Sequence, residues 1–506
     1  MGVFEVVVTH PQLALNLICV LTFVLVTFQI ATYLYNIFFH PLRHFPGPKS
    51  HAASSLPYVI SQLRGELQHE IVKLHEIYGE VVRVLPNELS FSSANAWKDI
   101  YGHRKGGEPT LQKFHQFYSH PFNDGVHDII NGDDETHSRM RRIFANAFSD
   151  RSLKMQESLF LTYVDRLVEN IRTTLEEEPS YVFDMVMMYN FTTFDIMGDL
   201  AFGESLDLLK DSTYHGWIRA MFANFKFGAY LHSVRYFPLL EWIMLNLLRF
   251  THLEEKRNEH KQFSSSRVDK RLARKDARPD IWGLVISRED GTGLSRLEMY
   301  KNADVFMIAG TETTATLLSG LTFHLLKNPE KLKKLTQEIR SSFQDDSEIT
   351  IEKLQALPYL HACIQEGLRM YPPVSNGLPR VVPPQGARID ARPVPGGTIV
   401  YSQHLATYRN AKNFRDPYSF LPERWIENEY ASDLKQALNP FSVGPRACLG
   451  KNMAYHEIRL ILSKVLWNFD LELCEQTSEN WANTKKIYVL WEKEPLWCRA
   501  RYVNHA

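Results

Sequence analysis

The chain has 506 residues, and its 57 basic and 58 acidic side chains give a formal net charge of −1. This balance excludes a whole-molecule field that would attract nucleic acid or an acidic polymer. The cysteines are odd in number and lack a C-x-x-C pair, which excludes a disulfide framework and a zinc ribbon; they are Cys19, Cys363, Cys448, Cys474 and Cys498.

The N-terminal segment, residues 1–39, contains a predicted transmembrane helix. Leu13 to Phe39 is almost continuously apolar and carries no Asp, Glu, Lys or Arg, and about 20 such residues span a bilayer. A cleavable signal peptide is the alternative, but this run is longer than a usual signal and has no basic segment before it. Glu5 precedes the run, whereas Arg43 and Lys49 follow it, so the positive-inside rule places the rest of the chain in the cytosol.

A proline-rich hinge, residues 40–50, separates this anchor from the remaining chain. Glu80 to Ser93 alternates around a turn and predicts a hairpin. Residues Gly102–Gly132 lack periodicity, and because long loops often bind ligands, this segment is a candidate substrate-contact loop. Apolar residues then recur at helical spacing in four segments, which are Met140–Phe148, Leu153–Leu175, Phe183–Phe202 and Trp217–Ala229.

A long central helix is predicted from Ser295 to Leu326, with Ser295 and Glu298 in a capping-box pattern. Residues 309–314 in its middle read Ala-Gly-Thr-Glu-Thr-Thr. Threonine hydroxyls there can bond backbone carbonyls, and the central glycine with an acid and an alcohol suits a groove for a small ligand such as dioxygen. The alternative is a helix that merely carries a polar face.

Two charged motifs follow the central helix. Glu366 and Arg369 lie three residues apart near the end of a predicted helix, and as an exposed pair they would contribute only about 0.2–0.5 kcal/mol. The second motif is Pro422-Glu-Arg424-Trp425.

Short strands are predicted at Gly377–Arg380 and Gly396–Tyr401, and Lys486–Glu492 alternates as a terminal strand. Residues 374–378 are a second candidate substrate contact, and the turn before residue 486 is a third. Arg380 is either a partner for an anionic group or a surface arginine.

A lone cysteine lies in the glycine-containing loop Phe441-Ser-Val-Gly444-Pro-Arg446-Ala-Cys448-Leu-Gly450, directly before a predicted helix. The helix start directs amide donors and a positive dipole toward the sulfur, which favours the thiolate. A buried thiolate is a strong axial ligand for haem iron, and an arginine two residues earlier can meet a haem propionate. The alternative is a buried structural cysteine in a tight turn.

These motifs together resemble those of the cytochrome P-450 family. The loop residues Phe441, Gly444, Arg446, Cys448 and Gly450 resemble its haem-binding signature, and residues 309–314 resemble its oxygen-activating motif, with Glu312 and Thr313 as the acid and alcohol. The resemblance implies that Glu366, Arg369 and Arg424 form a buried network that braces the cysteine loop. Trp425 stands where the family more often has phenylalanine.

The resemblance also implies candidates for the haem propionates. The family often has a tryptophan four residues before an arginine at the haem edge, whereas here His137 precedes Arg141 at that interval. His137, Arg141, Arg380 and Arg446 are therefore candidate propionate partners. A solvated basic helix face is the competing interpretation for the first two.

The fold implied is mainly α with a small β-sheet region, in which residues 51–506 form a single catalytic domain that binds haem b (iron protoporphyrin) through Cys448. The implied function is a haem-thiolate monooxygenase that inserts one atom of dioxygen into a small hydrophobic substrate. The anchor and hinge resemble membrane-bound fungal enzymes of secondary metabolism. The implied location is the endoplasmic reticulum membrane, with a single pass and a cytosolic catalytic domain.

The sequence has no G-x-G-x-x-G motif after a strand and no length for a flavin domain, so electrons are expected from a separate NADPH-cytochrome P-450 reductase, with cytochrome b5 as a second candidate donor. Basic residues Arg139, Arg142, Arg446 and Lys451 are a candidate docking surface. Two other functions stay open: a haem-thiolate isomerase or dehydratase that needs no reductant, and a haem-based binder or sensor.

Overall fold

The computed structural model describes residues 11–104, 110–119, 125–213, 226–248, 253–274, 278–286, 293–483 and 486–505. Most of these residues are helical. The α-helices with defined bounds are Pro11–Phe38, Lys49–Ala53, Leu56–Arg64, Leu67–Tyr78, Ala94–Tyr101, His115–Tyr118, Asp134–Phe144, Asp150–Met155, Glu157–Glu177, Met185–Phe202, Leu208–Asp211, Pro238–Leu248, Leu253–Ala273, Ile281–Ile286, Arg296–Leu326, Pro329–Ser342, Ile351–Gln355, Pro358–Met370, His404–Tyr408 and Lys451–Asn468.

The described strands form three small sheets. A mixed five-stranded sheet has the order β1-β2-β8-β5-β3, a three-stranded sheet has the order β4-β10-β9, and β6 pairs with β7. The strands are β1 Val81–Leu85, β2 Glu88–Phe91, β3 Gln112–Lys113, β4 Val182–Asp184, β5 Arg380–Val381, β6 Ala387–Ile389, β7 Arg392–Val394, β8 Ile399–Ser402, β9 Phe469–Leu473 and β10 Trp497–Tyr502. The expected mainly helical fold with a small β region is therefore confirmed.

The central helix, Arg296–Leu326, has 31 residues and begins with the predicted capping box between Ser295 and Glu298. It packs along the helix Met185–Phe202, and both helices are largely buried. A Cβ on Gly310 would come within 2.6 Å of the Met197 sulfur. The absence of a side chain at Gly310 therefore permits the close contact between these two helices.

Several predicted boundaries shift for local reasons. The helix expected at Met140–Phe148 begins at Asp134, because the Asp133 side chain accepts a hydrogen bond from the Thr136 amide and caps it. The helix expected from Phe183 begins at Met185, because residues 182–184 pair with β10 instead. The segment predicted at Leu153–Leu175 divides into two helices at Gln156.

The hairpin predicted from Glu80 to Ser93 is confirmed by the antiparallel pair β1 and β2. The terminal strand predicted at Lys486–Glu492 was wrong, because this segment makes only an isolated bridge between Ile487 and Trp491. The loop expected at Gly102–Gly132 contains the short strand β3 and a helical turn, and its residues 105–109 and 120–124 lie outside the described residues. Most of the helix predicted at Trp217–Ala229 also lies outside them.

The N-terminal helix extends from Pro11 to Phe38. Its segment Leu15–Phe38 is long and apolar enough to cross a membrane and is exposed along its length. An apolar helix that packs against no protein core has the properties of a membrane anchor. This observation agrees with the predicted transmembrane helix.

A buried charge network joins three separate parts of the chain. Glu366, Arg369 and Arg424 are each fully buried. Glu366 Oε1 accepts hydrogen bonds from Arg369 Nη2 at 2.7 Å and from Arg424 Nε at 3.0 Å. Its Oε2 accepts from Arg369 Nε at 2.9 Å and from the Trp425 indole at 3.0 Å. Trp425 is therefore more than an aromatic substitute, because phenylalanine has no such donor.

The two guanidiniums of this network also hold backbone. Arg369 donates to the carbonyl oxygens of Tyr408, Pro417 and Ser419, and Arg424 donates to the carbonyl of Arg415 and pairs with Asp433. Burial alone would raise the pKa of Glu366, but the two arginines outweigh it and hold that pKa below its usual value. The network thus fixes residues 408–433, the segment that leads into the cysteine loop.

A second buried carboxylate, that of Glu457, lies in an environment that favours its protonated form. Glu457, on the helix Lys451–Asn468, is 1% exposed, and neither of its oxygens has a partner at full hydrogen-bond geometry among the described residues. Burial raises the pKa of Glu457 to about 8, while the nearby Thr314 hydroxyl lowers it by less. The Glu457 carboxyl is therefore mainly protonated at neutral pH.

Glu366→Ala is expected to destabilise the protein strongly. It leaves the buried guanidinium of Arg369 without its carboxylate and removes one of the two carboxylates that pair with Arg424, at a cost of about 3–5 kcal/mol. Chemical denaturation of the purified protein measures this loss, and its haem content should fall in parallel. The matched control is an exposed E-x-x-R pair, Glu169 and Arg172, which has the same spacing but side chains 60% and 37% exposed. Glu169→Ala should cost at most about 0.5 kcal/mol, and equal losses would contradict a special role for burial.

Glu457→Gln is expected to stabilise the protein increasingly as the pH rises. The wild-type carboxyl keeps its proton up to about pH 8 when folded but ionises near pH 4.5 when unfolded. The contribution of Glu457 to stability is therefore greatest below pH 4.5 and declines toward pH 8, by at most about 5 kcal/mol. Tm values of variant and wild type, measured from about pH 5 to 8.5, should diverge in favour of the variant. The exposed Glu352→Gln serves as control, and parallel Tm profiles for Glu457→Gln would contradict this account.

Candidate haem site

The cysteine loop is held by its own backbone. The Cys448 amide donates to the Phe441 carbonyl at 2.8 Å, which closes the loop. Gly444 has φ +77°, and a Cβ there would come within 2.0 Å of the Tyr101 carbonyl oxygen, so only glycine fits. Gly450 differs, since a Cβ there would meet nothing within 4 Å. Beside the cysteine, open space rather than tight packing surrounds Gly450.

The Cys448 side chain is exposed although protein atoms surround it densely. Burial raises the pKa of the Cys448 thiol, while the Gly450 amide, Arg141 and Lys451 lower it by less. The amide at the helix start thus lowers the pKa of the thiol, in the predicted direction, but the surrounding protein outweighs it. A metal cation is required to make the thiolate the dominant form, because coordination deprotonates a thiol outright.

Arg141 reaches the cysteine loop directly. Its Nη1 donates to the Ala447 carbonyl, the residue before Cys448, at 2.5 Å. Arg141 thus stabilises the loop and adds positive charge beside the sulfur. This contact with the cysteine loop itself was not predicted; the predicted role of Arg141 was to bind a haem propionate.

The other predicted propionate partners lie in one cationic cluster, defined as His137, Arg380, Arg446 and the additional residue Lys113. Burial, followed by the charges of Arg446 and Arg380, lowers the pKa of Lys113 to about 7, although Asp128 and Asp134 act in the opposite direction. Burial, followed by the charges of Arg446, Lys113 and Arg141, lowers the pKa of His137 to about 4. These mutual effects show that the cluster's groups lie near one another.

Two arginines of the cationic cluster have more N–H donors than their described hydrogen bonds use. Arg446 bonds Asp134 at 2.8 Å and the Gly132 carbonyl at 2.9 Å, but its buried Nη1 has no hydrogen-bond partner among the described residues. Arg380 is 6% exposed, and the one side-chain bond described for it goes to the Tyr118 hydroxyl at 3.3 Å. Arg380 is therefore not a surface arginine.

A buried cluster with more cations than anions fits an anionic ligand. The two haem propionates are anions of this kind, and the exposed Cys448 sulfur with open space at Gly450 fits the iron and the ring. The residues present therefore fit haem b.

The central helix presents an open surface at one point. Ala309 is exposed and Thr313, one turn later, is half-buried, although most of the following helix is buried. The Thr313 hydroxyl donates to the Ala309 carbonyl at 2.6 Å, as the sequence predicts for threonines in this motif. Its oxygen lone pairs remain available to accept a hydrogen bond from water.

Glu312 and Thr313 share no described contact. The Glu312 carboxylate is 3% exposed and forms a buried ion pair with Lys493, near the C-terminus. Thr316 donates to Glu312 Oε1 at 3.3 Å.

Sequence reasoning missed Lys113, Lys493 and the indole donor of Trp425. Lys113 and Lys493 lie in segments without a motif, and only tertiary structure brings them to the site. The indole nitrogen of Trp425 was a usable signal, because a buried indole requires an acceptor.

Comparison with known proteins gives one family. The family model described as Cytochrome P-450 matches residues 48–499. Cytochrome P-450 monooxygenase efuB of Hormonema carpetanum is 47% identical over 482 residues, covering 94% of this chain and 95% of the relative. Cytochrome P-450 monooxygenase FUM2 of Gibberella moniliformis is 46% identical over 465 residues, with coverage of 92% and 98%.

Averantin hydroxylase of Dothistroma septosporum is 41% identical over 479 residues, covering 94% of this chain and 89% of the relative. Matches of this length and identity, on a fold whose cysteine loop and cationic cluster fit haem b, show that the chain belongs to the cytochrome P-450 family of haem-dependent monooxygenases.

Proposed function

We propose that the protein hydroxylates or otherwise oxygenates a small hydrophobic metabolite, with electrons from a separate NADPH-dependent reductase. The observation that carries this proposal is the exposed Cys448 in its braced loop, beside buried cationic donors that lack enough anions of their own. Overall, a substrate C–H bond, dioxygen, two electrons and two protons give a C–OH bond and water.

In this proposal Cys448 is the protein ligand to the haem iron, and Arg446 and Arg380 bind the propionates with His137 as a neutral donor. Bound haem supplies the oxidising chemistry, and a thiolate ligand favours cleavage of the O–O bond. Phe441 and Gly444 shape the loop, while the amide of Gly450 and the charge of Arg141 stabilise negative charge on the sulfur.

Thr313 would position a proton-donating water. Its hydroxyl hydrogen is already engaged with Ala309, so the oxygen can orient a water in the open space beside Ala309. Glu312 would supply protons to this water from the other side of the helix. Such positioned proton transfer typically contributes about 10²–10⁴-fold.

The substrate is proposed to be a small hydrophobic secondary metabolite. The relative named averantin hydroxylase indicates hydroxylation of such a compound by that protein. The described parts of residues 102–132 and residues 374–378 remain the proposed substrate contacts. Lys486–Glu492 follows the third proposed contact.

We also propose that the anchor lies in the endoplasmic reticulum membrane with the catalytic domain in the cytosol. A further apolar surface supports membrane contact. The ring of Tyr58, on the helix Leu56–Arg64, lies 5.6 Å from the ring of Tyr236, which is in the turn before the helix Pro238–Leu248, and both helices expose apolar side chains. These exposed residues are Leu56, Ile60 and Leu63 on one helix, and Leu239, Leu240, Trp242 and Leu247 on the other.

The reductase is proposed to approach the side of the cysteine loop, with cytochrome b5 as a second candidate donor. The predicted four-residue docking surface needs revision. Arg139 pairs with Glu298, and Arg446 is mostly buried against Asp134. Of the four, Arg142 and Lys451 are exposed.

Thr313→Ala is expected to uncouple the reaction. Substrate binding and NADPH oxidation continue, because neither needs the hydroxyl, but misplaced protons release reduced oxygen as hydrogen peroxide. Product formed per NADPH should fall by up to about 10²–10⁴-fold, or by less if water substitutes. The matched control is Thr311→Ala, whose hydroxyl bonds the Met307 carbonyl at the same 2.6 Å but is fully buried. Full coupling in Thr313→Ala would contradict the assigned role.

The same assay separates the two other functions. An isomerase or dehydratase would turn over without NADPH in wild type and variant alike. A binder or sensor would show a ligand-induced spectral change but no product in either protein.

A further inference from the structure

A groove with basic walls begins directly after the N-terminal anchor. Its volume is about 1320 Å³. Residues 41 and 44–46 of the hinge form one wall, and residues 383–388 and 392–396, which include much of the β6–β7 hairpin, form another. The remaining lining comes from residues 78–81, 104 and 412. The groove is therefore distinct from the candidate haem site, because none of the cationic cluster or the cysteine loop lines it.

Positive charge dominates the described walls of this groove. The basic side chains in its lining are His44, Arg104, Arg388, Arg392 and Lys412. The acidic side chain in the same lining is that of Glu80, which pairs with Lys412 at 3.2 Å. Arg388 donates to the Ala391 carbonyl at 2.9 Å, and neither Arg388 nor Arg392 has an ion-pair partner among the described residues. The hairpin therefore presents two guanidiniums that can bind an anion.

The hinge is bound to the domain, which fixes the groove relative to the anchor. The Leu42 side chain is fully buried in a hydrophobic cluster that includes Ile389 of β6, and Phe45 packs against the same cluster. The Arg83 amide donates to the Pro46 carbonyl at 2.7 Å. The hinge wall and the hairpin wall are thus parts of one packed structure.

The last turn of the anchor is attached to the domain as well. The Asn36 side-chain amide donates to the Ala53 carbonyl at 3.0 Å, and the Asn36 carbonyl accepts from Arg83 Nη1 at 2.9 Å. Arg83 is 2% exposed. The helix ends at Phe38, and the groove begins at Pro41, three residues later. The groove is therefore held close to the end of the apolar helix.

This position corresponds to the headgroup layer of a membrane. The apolar run ends at Phe39, and the headgroup layer beyond the hydrocarbon core is about 5–8 Å thick on each side. Residues 41 and 44–46 follow within that distance when the helix spans a bilayer. The proposed topology places them at the cytosolic leaflet, in which anionic lipids attract basic residues near the membrane.

We propose that this groove binds the headgroup of an anionic phospholipid, whose phosphate is held by Arg388 and Arg392. A guanidinium binds a phosphate through two parallel hydrogen bonds. A zwitterionic lipid gains less, because its own cation accompanies the phosphate. The inference goes beyond oxygenation and rests only on the proposed membrane placement of the anchor. A hairpin stabilised by its own arginines is the competing explanation.

The test titrates the full chain in detergent with phosphatidylinositol or with phosphatidylcholine of the same acyl chains, and native mass spectrometry counts the bound lipid. Wild type should bind phosphatidylinositol about tenfold or more tightly than phosphatidylcholine, and Arg388→Gln/Arg392→Gln should lose about tenfold or more of that affinity. Arg388→Lys/Arg392→Lys keeps the charge and should retain most of it. The matched control is Arg499→Gln/Arg501→Gln, which removes two exposed arginines of β10 outside the groove and should change nothing.

Equal affinity of the wild type for the two lipids, or equal losses in the groove pair and the control pair, would overturn the proposal. Release of phosphatidylinositol by millimolar inorganic phosphate or by a polyglutamate peptide would also overturn it, because the groove would then bind a soluble phosphate or an acidic partner protein. If the groove variant loses thermal stability, Arg392→Gln alone is judged by the same titration.

These readouts are independent of turnover, so a failure of the proposed oxygenation leaves them unchanged. The membrane placement is checked separately by flotation of the wild type with phosphatidylcholine vesicles. Flotation is expected for the wild type and for both arginine pairs, since the anchor is intact in each. A wild type that does not float would refute the anchor on which the proposal rests.

Discussion

The position of the cysteine loop depends on one buried carboxylate, that of Glu366. Its two oxygens hold two fully buried guanidiniums and an indole, and the guanidiniums in turn bind backbone carbonyls from residues 408 to 419. Buried charges of this kind are costly unless all of them are paired. The network therefore fixes the backbone of residues 408–433, and the cysteine loop comes directly after this fixed segment in the chain.

The candidate haem site has more positive than negative charge among its buried side chains. Arg446 keeps a buried donor without a partner among the described residues, Lys113 and His137 are held near other cations, and the protein surroundings of the exposed Cys448 raise the pKa of its thiol. Each of these features is unfavourable in the protein alone. Each becomes favourable when a dianionic ring with a central metal cation is bound, since carboxylates satisfy the cations and the metal stabilises the thiolate.

Short sequence patterns predict local motifs better than they predict which residues contact one another in the folded protein. The capping box and the hairpin at β1 and β2 follow from short patterns, whereas the joining of Glu366, Arg369 and Arg424 is what the family resemblance implies. The features that the sequence does not predict have a common cause in tertiary structure. Residues 182–184 join a strand far along the chain, Gly310 packs against Met197, and Glu312 pairs with Lys493. No local spacing contains this information.

The central claim, that Cys448 is the thiolate ligand of a haem monooxygenase, is tested most directly by the absorption spectrum of the reduced protein with carbon monoxide. The wild type should give the thiolate-type spectrum. Cys448→His should lose that spectrum and nearly all oxygenation even where haem is retained, whereas Cys474→Ala should keep both. A thiolate-type spectrum in Cys448→His would assign the ligand to another cysteine and contradict the account.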